Sequence, residues 1–301
     1  MDWYRSHPRA SRYANYANYQ KALDERAKES KCQQPYDRPE VAKRLVSIIA
    51  AQRRGHARPV YGRTSGHIDH RNLWKASTGD NRVFSKPGAA SPTRIRLVVL
   101  MDLSGSMTGD PATKAAQMCW DLICAAVQVP TVTLEVWGHT TGMYVGTGEV
   151  APDGVDGCQH GSAFIKLVEL WKHGYKVKDF WEAIVANDFG GTEDGWVQQT
   201  LAHDVEQRLQ PGERMVLVIV SDGEPAYQEG GMEHTIEHGH VRGVVNAIRR
   251  RGHAVISVAC SDELRRLVQA NMYGDGNVVE YTYDTNVLTQ NIARVIGRAL
   301  N

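Results

Sequence analysis

Two apolar runs constrain this chain more than anything else in it. Leu97-Val98-Val99-Leu100-Met101 and Met215-Val216-Leu217-Val218-Ile219-Val220 are too short to be helices and too uniformly apolar for strands with one wet face. They read as strands buried on both sides, the kind found in parallel sheets covered by helices above and below. Each run delivers an acidic residue, Asp102 or Asp222, into a turn containing Ser and Gly.

The segments around these runs alternate between helical and strand patterns. After Asp102, Asp110-Pro111 supplies an N-cap and a first-turn proline, and Ala112, Ala115, Ala116, Cys119, Leu122, Ile123 and Ala126 keep one apolar face up to Pro130. Thr131 to Trp137 alternates as a strand, and Met143-Tyr144-Val145 reads as a short edge strand. Thr192 opens a helix in which Val197, Leu201, Val205 and Leu209 recur every four residues as far as Pro211-Gly212. A helix with Ile236, Val241, Val244, Val245 and Ile248 follows, then strand Ala254–Ala259, a polar helix around Asp262–Gln269, strand Val278–Tyr283 and a helix Val287–Leu300. The predicted class is α/β, a doubly wound, mostly parallel, Rossmann-like sheet with helices on both faces. It is preceded by an extension of helices and short strands over residues 1–93, so that the α/β domain spans 94–301, with an insertion at about 147–189.

Asp102, Ser104 and Ser106 stand at i, i+2 and i+4, with Gly105 between the serines to let the turn close, and so can aim three hard oxygens at one small cation. The pattern Asp-x-Ser-x-Ser after a buried strand resembles the first loop of a von Willebrand factor A domain, where it forms most of a metal-ion-dependent adhesion site. Asp188-Phe189-Gly190-Gly191-Thr192 is similar to the second loop of that family, and Ser221-Asp222-Gly223 to the third. The resemblance implies a metal set of Asp102, Ser104, Ser106, Thr192 and Asp222. Hydroxyls and carboxylates suit Mg²⁺, with Mn²⁺ or Ca²⁺ as substitutes. An ion with few anionic ligands stays electrophilic, leaving a position for an Asp or Glu of a client protein. No P-loop, nucleophile or general base accompanies these loops, so nothing marks the chain as catalytic alone.

Residues 61–84, with Gly62-Arg63-Thr64-Ser65-Gly66-His67-Ile68-Asp69, Leu73 and Gly79-Asp80-Asn81-Arg82-Val83-Phe84, resemble the lead-in found before this domain in cobaltochelatase CobT-type proteins and relatives that work with MoxR-like AAA+ ATPases. That resemblance implies a protein-binding subunit partnered by a MoxR/CobS-type ATPase, such as the non-ATPase component of a cobalt or magnesium chelatase. The chain departs from CobT-type proteins in having a basic rather than acidic stretch before the domain. Residues 1–96 carry 20 Lys+Arg against 8 Asp+Glu, and residues 97–301 carry 15 against 26. A basic arm on an acidic body implies mutual docking or an anionic partner. Because the alternation is complete from Arg94 onward, a chain starting near residue 90 is expected to stay soluble.

Pro39 introduces an amphipathic helix with Val41, Leu45, Ile48 and Ile49, and before it lies the arm itself. Tyr4, Tyr13, Tyr16 and Tyr19 lie there among Arg5, Arg9, Arg12, Lys21 and Arg26. They describe either a helix face packed on the body or a stacking and phosphate-binding surface for nucleic acid, as in Ro-type ribonucleoproteins. His139, Cys158, His160 and His173 offer zinc ligands at no standard spacing, and His234-Thr235-Ile236-Glu237-His238 fits the His-x-x-Glu-His of inverted zinc proteases inside a helix that the α/β reading already needs. Five scattered cysteines without a Cys-x-x-Cys pair read as reduced thiols, and no stretch is apolar enough to span a bilayer or to form a signal-peptide core. A cytoplasmic location without membrane contact is the resulting expectation.

Overall fold

The computed structural model describes residues 21, 24–25, 27–52, 60–86, 94–141, 149–150, 162–168, 176–185, 194–223, 234–261 and 263–300. Helix α1 is Pro39–Gln52, and strands β1 (Val60–Arg63), β2 (His67–Ile68) and β3 (Phe84–Lys86) form a small antiparallel sheet in the order β1-β3-β2. The body runs β4 (Arg94–Asp102), α2 (Asp110–Ala126), β5 (Val132–Thr141), β6 (Glu149–Val150), β7 (Ser162–Val168), α3 (Val177–Val185), α4 (Asp194–Gln207), β8 (Glu213–Ser221), α5 (His234–Arg250), β9 (Ala254–Ala259), α6 (Glu263–Tyr273), β10 (Val278–Glu280) and α7 (Thr285–Leu300).

The body strands form one sheet in the order β10-β9-β8-β4-β5-β7-β6. The first five are mutually parallel, while β7 pairs antiparallel with β5 and β6 antiparallel with β7. The fold is therefore α/β with a mostly parallel sheet, as its alternating segments predict. Successive side chains of a strand face opposite ways, and β4 shows why it had to be apolar throughout. Leu97, Val99 and Met101 join a core with α1, α2, α3 and α7, whereas Val98 and Leu100 join one with α4 and α5.

Several boundaries differ from expectation. Gly109, at φ 93, is the N-cap of α2, so Asp110 is the first helical residue and Pro111 the second. A residue with a side chain would be strained in that left-handed conformation. Strand β7 and helix α3 lie inside the stretch expected as an insertion, yet β7 is hydrogen-bonded into the sheet, and Phe180, Ile184 and Val185 are buried in the main core. The expected edge strand at Met143–Val145 lies outside the described residues.

The segment before Arg94 also contributes to the body's core. Val41 and Leu45 of α1 are fully buried in the cluster that holds β4 and α2. Ahead of α1, residues 30–38 lie along α2. Gly109 N–H donates to Ser30 O at 2.8 Å, and Gln33 N–H to Thr113 Oγ1 at 3.0 Å. Tyr36 N–H donates to Gln117 Oε1 at 3.1 Å, and Trp120 Nε1–H to Asp37 Oδ1 at 2.8 Å. Arg38 closes the strap by pairing with Asp121, both buried, with Nε donating to Oδ1 at 3.2 Å. A polar strap has no periodicity, which is why sequence pattern alone leaves it outside the domain.

Candidate metal centre

β4 and β8 are neighbours, but the chain leaves them in opposite directions. From β4 it passes through α2 to β5 on one side, and from β8 through α5 to β9 on the other. Loops that diverge in this way leave a crevice at the carboxyl ends of the strands, the place where open α/β sheets bind ligands. Asp102 ends β4, and Asp222 immediately follows β8, so the two buried runs bring their acids to one crevice.

Asp102 is fully buried. Its Oδ1 accepts the Ser104 N–H at 2.8 Å, and its Oδ2 accepts the Ser221 hydroxyl at 3.2 Å. The Ser221 Oγ in turn accepts the Gly223 N–H at 2.9 Å, which ties the loops after β4 and β8 together. A single 3₁₀ turn at Gly105–Met107, anchored by buried Met107, places Ser106 beside Ser104 with their Oγ atoms 3.0 Å apart. Ser104 is buried and Ser106 exposed, so the pair opens outward. Asp222 is fully buried and its carbonyl accepts the Ser261 hydroxyl at 2.6 Å. Thr192 lies outside the described residues.

One residue that the motif did not single out belongs to this cluster. Asp194, the first residue of α4 and buried, bears on Asp102 electrostatically more than Asp222 does. Burial, then the charges of Asp194 and Asp222, push the Asp102 carboxyl well above the usual carboxylate range, against the pull of the Ser104 N–H. In sequence, an acid two residues after Thr192 at the head of a helix reads as an ordinary first-turn residue favoured by the helix dipole, and only burial separates it from that class. Gly195 lets this end of α4 approach α5, because a Cβ there would lie 2.5 Å from His240 Nδ1.

His139 completes the floor. It stands opposite Asp102 in the β4–β5 register, its carbonyl accepts the Leu103 N–H at 2.9 Å, and its Nε2 lies 3.5 Å from Asp194 Oδ1. Burial pulls its imidazole down to about 3, so the ring is neutral at ordinary pH. His139 therefore faces the carboxylate cluster, while Cys158, His160 and His173, its partners in the zinc alternative, lie outside the described residues. His234 and His238 sit in the first turns of α5, with the side chains of His234 and Glu237 outside the described set. Cys32, Cys119, Cys124 and Cys260 are free thiols, and burial raises the pKa of each, to about 12 for Cys32 and Cys124. The Tyr- and Arg-rich arm before residue 21 is likewise outside the described residues. No helix among the described residues is long and apolar enough to cross a membrane.

The described donors, two serine hydroxyls and the carboxylates of Asp102 and Asp222, are hard oxygens of the kind a small divalent cation takes. Ser104 Oγ and Ser106 Oγ hydrogen-bond to each other at 3.0 Å, a spacing that two ligands on adjacent corners of an octahedron at ~2.0–2.1 Å from one ion would also have, at about 2.9 Å. Among the described residues no three His, Cys, Asp or Glu side chains are placed to hold an ion by themselves. Burial and the charges of Asp194 and Asp222 disfavour the ionised form of Asp102, and a divalent charge beside it would favour that form.

No family model matches the chain, and no curated protein matches it in sequence. Solved structures of similar shape include the pilus adhesin SpaC from Lactobacillus rhamnosus GG, in its open conformation, at 13% identity and TM-score 0.44. That match covers 69% of this chain and 30% of SpaC. A mutant of the PilB minor pilin from Streptococcus sanguinis matches at 10% identity and TM-score 0.46, over 72% of this chain and 64% of that one. The vWF domain of the type V pili tip protein Mfa5 from Porphyromonas gingivalis matches at 9% identity and TM-score 0.44, over 70% of this chain and 98% of that one.

Proposed function

We propose that the chain is a Mg²⁺-dependent protein-binding subunit of the von Willebrand factor A type, acting in the cytoplasm with a MoxR/CobS-like AAA+ ATPase. The observation that carries this reading is the outward-opening pair of serine hydroxyls, 3.0 Å apart, set against buried Asp102 at the crevice between β4 and β8. Ser104 and Ser106 would hold the ion directly, Thr192 would add the third hydroxyl, and Asp102 and Asp222 would hold it directly or through water. Bound there, the ion supplies an electrophilic position that a carboxylate of another protein can fill.

The chain's own groups prepare that position. Ser221 and the Ser104 N–H fix both oxygens of Asp102, so the carboxylate is oriented before any ion arrives. Buried Met107 fixes the turn that presents Ser106. In such an assembly the family resemblance assigns ATP hydrolysis to the partner ring and its coupling to a client to this subunit, with a metal chelatase as the model that the CobT-like lead-in suggests.

The test is capture of a purified MoxR-type AAA+ ATPase by the immobilised full chain. Mg²⁺ should support capture, EDTA should abolish it, and the double variant Ser104→Ala/Ser106→Ala should not be rescued by added Mg²⁺ while keeping its thermal midpoint in EDTA. Capture that is indifferent to chelation and to the double substitution would overturn the proposal.

A further inference from the structure

Among the described residues, half of the large hydrophobic side chains that remain exposed fall in residues 60–86: Tyr61 is 51% exposed, Ile68 51%, Leu73 44% and Trp74 64%. Leu73 and Trp74 lie on a 3₁₀ turn, Leu73–Thr78, that buries none of its residues, so it displays side chains rather than packing them. The same segment has five Lys or Arg against two acids, and both acids are already engaged. Asp80 pairs with Arg82 at 3.0 Å. Asp69 accepts the Arg71 N–H at 3.1 Å and the Asn72 amide at 2.6 Å.

Exposed Arg63, Arg71 and Lys86 are left without an ion pair to any described carboxylate. In the small sheet, Arg63, Phe84 and Ile68 stand side by side in one cross-strand row, and Lys86 lies two residues along β3 from Phe84 and hence on the same face. Within this one segment, exposed apolar and aromatic side chains thus accompany exposed cations that have no described acidic partner, a combination that suits an anionic chain carrying flat, apolar groups. An acidic peptide added to a sheet edge fits less well, because the two open edges are strands of four and two residues, too short to template a partner strand.

We propose that residues 60–86 bind single-stranded nucleic acid, with Trp74 and Tyr61 stacking on bases and Arg63, Arg71 and Lys86 contacting phosphates. Every base has an apolar face, so such a site would read little sequence and would weaken steeply with salt. It is separate from the metal-site reading and does not depend on it.

The test measures fluorescence anisotropy of a labelled oligothymidylate of about 20 nucleotides, and of the matching oligouridylate, with the full chain between about 50 and 200 mM KCl. Trp74→Ala should weaken binding about tenfold or more, while Trp74→Phe, which keeps a ring, should restore most of it. Arg63→Glu with Lys86→Glu should weaken binding and flatten its salt dependence, and Asp102→Ala should leave it unchanged. Thermal midpoints equal to wild type would show that these exposed positions do not act through folding. The proposal fails if the wild-type chain does not bind, if poly-glutamate competes as well as the oligonucleotide, or if Tyr13→Ala with Tyr16→Ala abolishes binding while the Trp74 and Arg63 variants do not.

Discussion

The two ends of the central strands bury charge in opposite ways. At the amino end of β4, Glu135 receives Arg96 at 2.9 Å, Arg208 at 2.9 Å and the Trp137 indole N–H at 3.2 Å, and Arg96 reaches on to Glu213 at 3.2 Å. Those donors hold the Glu135 carboxyl below its usual range despite its burial. At the carboxyl end, the charges bearing on Asp102 are those of Asp194 and Asp222, and its carboxyl is pushed up. Among the described residues, the same sheet thus has one end whose charged groups pair with one another and one where Asp102 meets acids of its own sign. A balanced network is structural, whereas same-sign crowding at a crevice is expected where a cation belongs.

Removing a member of the balanced end should cost most. Glu135→Gln leaves Arg96 and Arg208 short of their shared partner and should lower unfolding free energy by about 3–5 kcal/mol in urea titration. A loss below about 1 kcal/mol would mean that the network is solvated and that the contrast between the ends is weaker than drawn.

Leu45→Ala, on the helix ahead of the parallel sheet, should cost about 2–4 kcal/mol, because Leu45 is fully buried in the core shared with α2. That result would sharpen where the domain begins. The expectation that a chain starting near residue 90 stays soluble rests on counting βα units, which record strands and helices but not a strap held by single hydrogen bonds. Arg38 and Asp121 are 83 residues apart, and nothing local announces their pairing. By contrast β4 and β8 were legible because burial on both faces removes every polar residue from the run. The meeting of Asp102, Ser104, Ser106 and Asp222 at one crevice was legible because they end or closely follow those strands. Asp194 was not, since its role depends on being buried against Asp102, and β7 was not, since Lys166 interrupts its apolar pattern.

The pH dependence separates His139 from the acids around it. Its folded pKa, about 3, lies below its unfolded value near 6.5, so its contribution to stability is complete above about pH 6.5 and is lost as pH falls toward 3. Asp102, raised in the fold, acts with the opposite sign, gaining stability as pH falls through its folded value toward 3.8. Between pH 6 and 4, His139→Gln should therefore flatten the fall in stability by up to about 1.4 kcal/mol per pH unit, one proton's worth. Identical slopes for the variant and wild type would show that the imidazole titrates in the fold and is not sealed against the cluster.

The central claim, that the carboxyl end of the sheet is built for a divalent cation, is tested most directly by unfolding wild type and Asp102→Asn with and without Mg²⁺. If the dissociation constant is ~0.1 mM, 1 mM Mg²⁺ should stabilise wild type by about 1.4 kcal/mol. Asp102→Asn removes one charge from a same-sign cluster, so in EDTA it should be no less stable than wild type, unlike Glu135→Gln at the other end, and it should lose the Mg²⁺ increment. An equal Mg²⁺ shift in both proteins, or an Asp102→Asn variant as unstable in EDTA as Glu135→Gln, would contradict the account.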